Sequence, residues 1–226
     1  MNMYGFRINK NDVRVSKDVV AQFKTIAVAN ISDCMSRASA GGASLRPMHT
    51  SGILAGPALT VRTRPGDNLM IHKALDLAMP GDVIVVDAGG DLSNALIGEI
   101  MVSYAKSKGV AGFVLNGAIR DLDSIAKGDL PVFAKGVTHR GPYKDGPGEI
   151  NTMIAIDGMV ICPGDLIVGD IDGVLCVPLA SIGEIYAAAH AKQMAETITM
   201  QQIRDGKLDT SWIDKSLERL GCEVAK

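Results

Sequence analysis

The stretch from Gly81 to Gly136 constrains the fold more than any other part of this 226-residue chain. GDVIVVDAGG holds a short apolar run, Val83 to Val86, between turn signals, and reads as a buried strand. LIGEIMVSYAKSKG follows as a helix over 96–109, with Lys106 and Lys108 in the last turn, where the helix dipole favours cations. VAGFVLNG is a second buried strand, IRDLDSIAKG a short helix and PVFAKG a third strand. Strands and helices alternating in this way predict a parallel sheet with right-handed crossovers.

The flanks are less regular. Ser16 is a candidate N-cap for a helix over 16–38, with Val20, Phe23, Ile26 and Ile31 at roughly helical spacing and Gly41-Gly42 as its stop. GILAGPALTVRTR reads as a strand ending at Pro65-Gly66, and Asn68 opens a short helix closed by Pro80-Gly81. Residues 137–151 read as an irregular loop, and 158–178 as short strands divided by PGD and DIDG turns. A long helix runs from Ser181 to Gly206, with Ile182, Ile185, Ala189, Met194, Ile198 and Ile203 as its apolar positions. A short helix near Asp209–Leu220 closes the chain. The expectation is an α+β layered fold in a single domain, 1–226. Residues 181–226 would form a helical arm that contacts a neighbouring subunit.

Composition removes several function classes. Lys and Arg number 23 against 25 Asp and Glu, a net charge of −2, so no basic surface for nucleic acid is expected. Aromatics at 4% make the core aliphatic and argue against a stacking platform for single strands. No apolar run approaches the roughly 18–20 residues a membrane helix needs, and MNMYGFRINKNDVRVSK has no secretory apolar region. Cys34, Cys162, Cys176 and Cys222 form no CxxC pair, which fits free thiols in a reducing cytoplasmic compartment.

His49, His72, His139 and His190 are scattered without metal-ligand spacing and read as structural or surface residues. Neither a phosphate-binding GxxxxGK[ST] loop nor a GxSxG elbow occurs. The best constellation is Gly98-Glu99, twenty residues, then Arg120-Asp121, both ends at the carboxyl side of predicted strands, where open α/β sheets place ligands. Amides at a helix start around Gly98, Glu99, Ile100 and Met101 suit a carboxylate. Arg120 adds a guanidinium. Carboxylates without histidine favour a hard cation such as Mg²⁺ or Mn²⁺.

These segments, with KGVAGFVLNGAIRDLDSI, PVFAKG and PGDLIVGDIDGVLCVP, resemble the RraA-like family over roughly residues 20–205. That family contains 4-hydroxy-4-methyl-2-oxoglutarate aldolases and regulators of ribonuclease activity. The resemblance implies a swivelling β/β/α fold with a long C-terminal helix, homotrimers or homohexamers, and active sites between subunits. It implies that Gly98 to Met101 hold the carboxylate of a 2-oxo acid substrate, Arg120 its keto oxygen and Asp121 the divalent metal. Glu99 stands where the aldolases commonly have aspartate and would bind the metal through water. Glu196 approximately matches a glutamate supplied by the adjacent subunit. Ser124 departs from the aldolases, which tend to have an acid there; the nearest is Asp123, as in the regulator branch.

The implied activity is a class II, metal-dependent lyase. It would cleave 4-hydroxy-4-methyl-2-oxoglutarate to pyruvate, or decarboxylate oxaloacetate, through a metal-stabilised pyruvate enolate. A metal-associated water positioned by Glu99 or Glu196 is the expected base. The alternative is a protein-binding regulator that inhibits an RNase E-type ribonuclease. His139, Arg140 and Lys144 read as a solvated loop or subunit contact, with recognition of a second carboxylate as the other possibility.

Overall fold

Period-two alternation along the strands decides the layering. The computed structural model describes residues 4–37 and 41–223. It begins with β1 (Phe6–Ile8), α1 (Lys17–Phe23), α2 (Val28–Cys34), β2 (Arg46–Pro47) and β3 (Leu54–Thr63). The middle comprises α3 (Leu69–Leu77), β4 (Val83–Asp87), β5 (Ala95–Ile97), α4 (Glu99–Ser107), β6 (Gly112–Ile119), α5 (Leu122–Lys127) and β7 (Val132–Val137). Then follow β8 (Gly148–Ile150), β9 (Ile154–Ile156), β10 (Met159–Ile161), β11 (Leu166–Asp170), β12 (Gly173–Val177), α6 (Ile182–Arg204) and α7 (Ser211–Leu220).

β3, β4, β6 and β7 are successive parallel neighbours, as the alternating sequence predicts. The sheet order is β1-β8-β3-β4-β6-β7-β2, with β5 added along β6. β3 serves two layers. Its residues 58–62 pair with β4, while residues 54–57 pair with β11 of the antiparallel β11–β12 hairpin.

Ile84, Val86 and Leu115 face α3 and α4 through Ile71, Leu75 and Ala105. Val83, Val85, Val114 and Phe133 face the other way, onto Ile156, Ile167 and Cys176. The outer side of the hairpin, Leu166, Val168, Leu175 and Val177, packs on Phe23, Ile31, Ile185 and Ala189. Each such aliphatic side chain contributes about 1.5–3 kcal/mol when fully buried. The result is the expected α+β layering: helices, sheet, a second β layer and further helices.

Four local expectations need correction. The helix over 16–38 is two helices. Thr25 Oγ1 donates to Gln22 O at the end of α1, and the Asp170 carboxylate accepts the Val28 amide to start α2. That remote cap leaves no local periodic signal; Ala38 lies outside the described residues. Leu96 and Ile97 are strand rather than helix, because Ala95 and Ile97 pair with Ala118 and Ile119 on β6. The 137–151 loop contains β8, whose Glu149 is buried between Arg7 at 2.6 Å and Arg62 at 3.1 Å. A charged residue in a buried strand masks the strand pattern. β1 beside it is also missed by sequence.

By contact density the chain divides into two compact units, Met1–Ala189 and His190–Lys226. The first holds the sheet and all three core clusters. In the second, no described residue is fully buried, and Met194, Ile198, Trp212, Ile213 and Leu217 are exposed. No helix is long and apolar enough to cross a membrane.

Candidate functional site

β5 and β6 run parallel with Ile97 opposite Ile119, so the segments that follow them leave the sheet side by side. The Arg120 amide donates to Ile97 O at 3.0 Å and fixes that register. Two motifs twenty residues apart in sequence are therefore brought into contact. Gly98 is required by the closeness of this approach. A Cβ there would collide with the Asp121 carboxylate and lie 3.0 Å from Arg120 Cγ.

Asp121 occupies the N-cap position of α5 in the left-handed region, at φ 57°. Aspartate is one of the few residues that visit this region routinely. An N-cap aspartate usually accepts an amide of its own helix. Here the side chain makes no such bond. Its Oδ2 instead accepts the Glu99 amide at 3.0 Å, at the start of α4, with Arg120 Nε 3.8 Å away. An anion at that helix end is favoured by the unpaired amides and the dipole. The Met101 amide donates to Gly98 O at 3.1 Å, whereas the Ile100 amide has no partner among the described residues.

Asn68 repeats the pattern. It is the N-cap of α3 and makes no side-chain cap bond. Its Nδ2 donates instead to Leu96 O at 2.9 Å, just before Gly98. The capping of α3 falls to Asp67, whose fully buried carboxylate accepts the amides of Leu69, Asp145 and Gly146. Burial alone would raise the Asp67 pKa, but these amides and Arg64 outweigh it and hold the carboxyl below its ordinary value. Asp67 thus ties the start of α3 to the 143–146 segment.

Between these elements lies a cavity of about 180 Å³. Gly98, Ile100, Met101, Arg120 and Asp121 line it together with Asn68, His72, Pro142 and Lys144, and Asn68 Nδ2 also reaches Met101 Sδ at 3.4 Å. Arg120 and Asp121 also border a shallower hollow with Val137, Thr138 and His139. Burial, together with the nearby Lys144 charge, pushes the His72 pKa down, which favours the neutral imidazole.

The structure thus brings Gly98, Glu99, Ile100, Met101, Arg120 and Asp121 together. Glu99 is exposed, and Glu196 lies in the second unit, where it pairs with Lys192 at 3.6 Å along α6. Sequence weighed Lys144 only with His139 and Arg140, for a second carboxylate, and did not join it to Asn68 and His72. The available signal was the spacing of Asn68 and His72, four residues apart and therefore on one helix face. His49 matches its structural reading: it is buried, and its Nδ1 accepts the Val132 amide at 3.1 Å.

No cluster of three or more His, Cys, Asp or Glu side chains that could cage a metal exists among the described residues. A hard cation does not need one, since Mg²⁺ is commonly held by one or two carboxylates plus water and substrate oxygens. Asp121, half exposed beside the cavity, fits that mode.

Residues 28–176 match the RraA-like family, described as Aldolase/RraA. A Halalkalibacterium halodurans protein named "Putative 4-hydroxy-4-methyl-2-oxoglutarate aldolase" is 39% identical over 188 residues, 83% of this chain and 90% of its own length. Among solved structures, the RNA-processing inhibitor RraA from Thermus thermophilis is 30% identical with a TM-score of 0.62. That alignment covers 67% of this chain and 92% of its own. Streptomyces coelicolor RraAS2, described as an unusual member of the RNase ES inhibitor RraA protein family, is 27% identical with a TM-score of 0.76. It covers 83% of this chain and 98% of its own.

Proposed function

The chain belongs to the RraA-like family, and from that premise we propose that it is a divalent-metal-dependent lyase cleaving carbon–carbon bonds of 2-oxo acids. Its substrates would be 4-hydroxy-4-methyl-2-oxoglutarate, cleaved to two molecules of pyruvate, and oxaloacetate, decarboxylated to one. The observation that carries this reading is the meeting of the α4 amides, Arg120 and Asp121 at one cavity wall.

Cleavage next to a carbonyl leaves an electron pair on the departing pyruvate fragment, and the site must accept the charge as it moves to the keto oxygen. A bound divalent cation supplies Lewis-acid stabilisation there. The α4 amides from Gly98 to Met101 would hold the substrate carboxylate, with Ile100 offering an unspent donor. Arg120 would face the keto oxygen, a preorganised charge of the kind typically worth about 3–4 kcal/mol. Asp121 would hold the cation, Mg²⁺ or Mn²⁺. Glu99 and a partner subunit's counterpart of Glu196 would position the water that takes the 4-hydroxyl proton. The exposed apolar side chains of the second unit support a homotrimer or homohexamer in which 181–226 contacts a neighbouring subunit. A cytoplasmic location suits four free cysteines.

The test is pyruvate release from either substrate by the Mg²⁺-loaded protein. Turnover that vanishes in Arg120→Ala and Asp121→Ala is expected; turnover equal to free metal in the wild type refutes the proposal. The similarity to one protein described as an RNA-processing inhibitor and to another described as a member of an RNase ES inhibitor family favours a second reading, a regulator that binds an RNase E-type enzyme. EDTA-insensitive inhibition of such a ribonuclease, without turnover of 2-oxo acids, would select it.

A further inference from the structure

Just before Arg120, β6 carries one residue more than β7 beside it. Leu115 pairs with Ala134 and Ala118 with Gly136, so three steps along β6 are matched by two along β7. Such a β-bulge bends the strand and re-aims the side chains around it, and bulges are over-represented next to active sites. This one lies where β6 changes partner on its other edge. The last pair with β4 is Asp87 with Asn116, and the first with β5 is Ala95 with Ala118. Asn116 and Gly117 therefore make the changeover, and Arg120 and Asp121 follow at the end of the strand. Gly117 leaves no room for a side chain, since a Cβ there would lie 2.7 Å from Leu96 Cδ1.

Asn116 is the polar member of the bulge and is 7% exposed. Its Nδ2 donates to Asp87 Oδ1 at 2.8 Å, and its carbonyl accepts the Gly90 amide at 3.0 Å. The same Asp87 oxygen accepts the Gly89 amide at 3.1 Å. Gly89 and Gly90 have φ of 69° and 76°, so the turn that returns both amides needs glycine. Asn116 Oδ1, however, is buried with no hydrogen-bond partner among the described residues. Lys135, which stands opposite the bulge on β7, is engaged by Asp157 at 2.8 Å. An unpaired buried acceptor is costly, so stability alone favours an apolar side chain at this strand position. What the amide supplies is direction: it ties the end of β4, the Gly89-Gly90 turn and the bulge into one unit.

We propose that Asn116 and Asp87 are positioning residues, which lock the β6 bulge and so aim Arg120 at the keto oxygen and Asp121 at the cation. The proposal rests on the lyase reading above. Neither residue borders the cavity or the shallower hollow beside it, so each acts through Arg120 and Asp121 rather than on substrate. The substrate carboxylate is assigned to the α4 amides, which the bulge does not carry. Loss of the lock should therefore lower kcat and leave KM nearly unchanged, the mark of an interaction made in the transition state. Misplacement of a reacting group by about 1 Å can cost about 100-fold.

The experiment follows pyruvate release from oxaloacetate by the Mg²⁺-loaded full chain, with a thermal melt of every variant. Asn116→Leu keeps the size of the side chain and removes its polar atoms. It should melt no lower than the wild type, yet lose about 10- to 100-fold in kcat with KM changed less than about threefold. Asp87→Ala removes the acceptor from the other side and should show the same split. Asp87→Asn keeps an acceptor for Asn116 and Gly89 and should recover most of the kcat. If Asn116→Leu does not fold, the contrast between Asp87→Ala and Asp87→Asn decides alone. Unchanged kcat in folded Asn116→Leu or Asp87→Ala overturns the proposal. So does a loss of activity that only tracks a lower melting temperature, because that is what a purely structural role gives. A wild type that turns over neither 2-oxo acid overturns the lyase reading and this assignment with it, so the two failures are distinguishable.

Discussion

The two ends of the parallel strands β4 and β6 make an instructive pair. At their amino ends, near Gly81 and Ala111, lies a cleft of about 630 Å³ with Arg14, Ser16, Lys17 and Lys24 around it. Beyond their carboxyl ends lies the 180 Å³ cavity of Arg120 and Asp121. The larger space has much of its polar equipment already engaged. Arg14 is paired with Asp82 at 2.6 Å, Asp82 also accepts the Met79 amide, and Ser16 caps α1 through Val19. In the smaller one, two N-cap residues turn from their own helices to the β5–α4 junction, and the Asn68 oxygen is unpaired. Volume alone does not mark a candidate site; the diverted and unspent polar groups set the smaller cavity apart.

The sharpest way to break this contrast is by activity. Arg120→Ala should lower kcat for pyruvate release by about 10²–10³-fold, the cost of removing one preorganised donor. Gly98→Ala should be comparably damaging, because its Cβ has no room beside Asp121. Arg14→Ala, at the opposite end, should change kcat less than about threefold if the larger cleft has no role in the chemistry.

Stability should discriminate next. Asp67→Ala strips three amides of their acceptor and should cost about 2–4 kcal/mol in urea unfolding. Arg14→Ala should cost less, about 1–3 kcal/mol, because Arg14 remains partly exposed while Asp82 is mostly buried. Asp67 also gives a pH signature. A carboxyl held below its ordinary 3.8 in the folded state contributes stability above that value and loses it as pH falls through the folded pKa. Thermal melts of the wild type should therefore steepen in their decline below about pH 4, and Asp67→Asn should flatten that decline.

The smallest expected effect concerns the diverted cap itself. Asp121→Ala should lose about 1 kcal/mol through the α4 start, while Asp121→Asn, which keeps an acceptor, should lose under about half of that. Equal losses would mean that the Asp121–Glu99 contact does not hold the junction together.

Much of this was legible in the sequence where the physics is local. The Val83–Val86 run, the Lys106 and Lys108 helix end and the turn glycines predicted the parallel middle, because each element is specified by its own residues. The Gly98/Arg120 constellation was legible because strand ends in such sheets converge by topology. The meeting of Lys144 with Asn68 and His72 was not. Lys144 lies in a segment ordered by Asp67, 77 positions earlier, and such a pairing leaves no periodic trace. His72 read as a structural or surface residue because the four histidines have no metal-ligand spacing. Likewise β8 was hidden by Glu149, a charge compatible with burial only because Arg7 and Arg62 flank it.

Crystals grown with Mg²⁺ and pyruvate test the central claim most directly. The account predicts a carboxylate on the amides of Gly98 to Met101, a keto oxygen facing Arg120 and a cation on Asp121. Pyruvate bound in the cleft of Arg14 and Lys24, or a cation held away from Asp121, would contradict it.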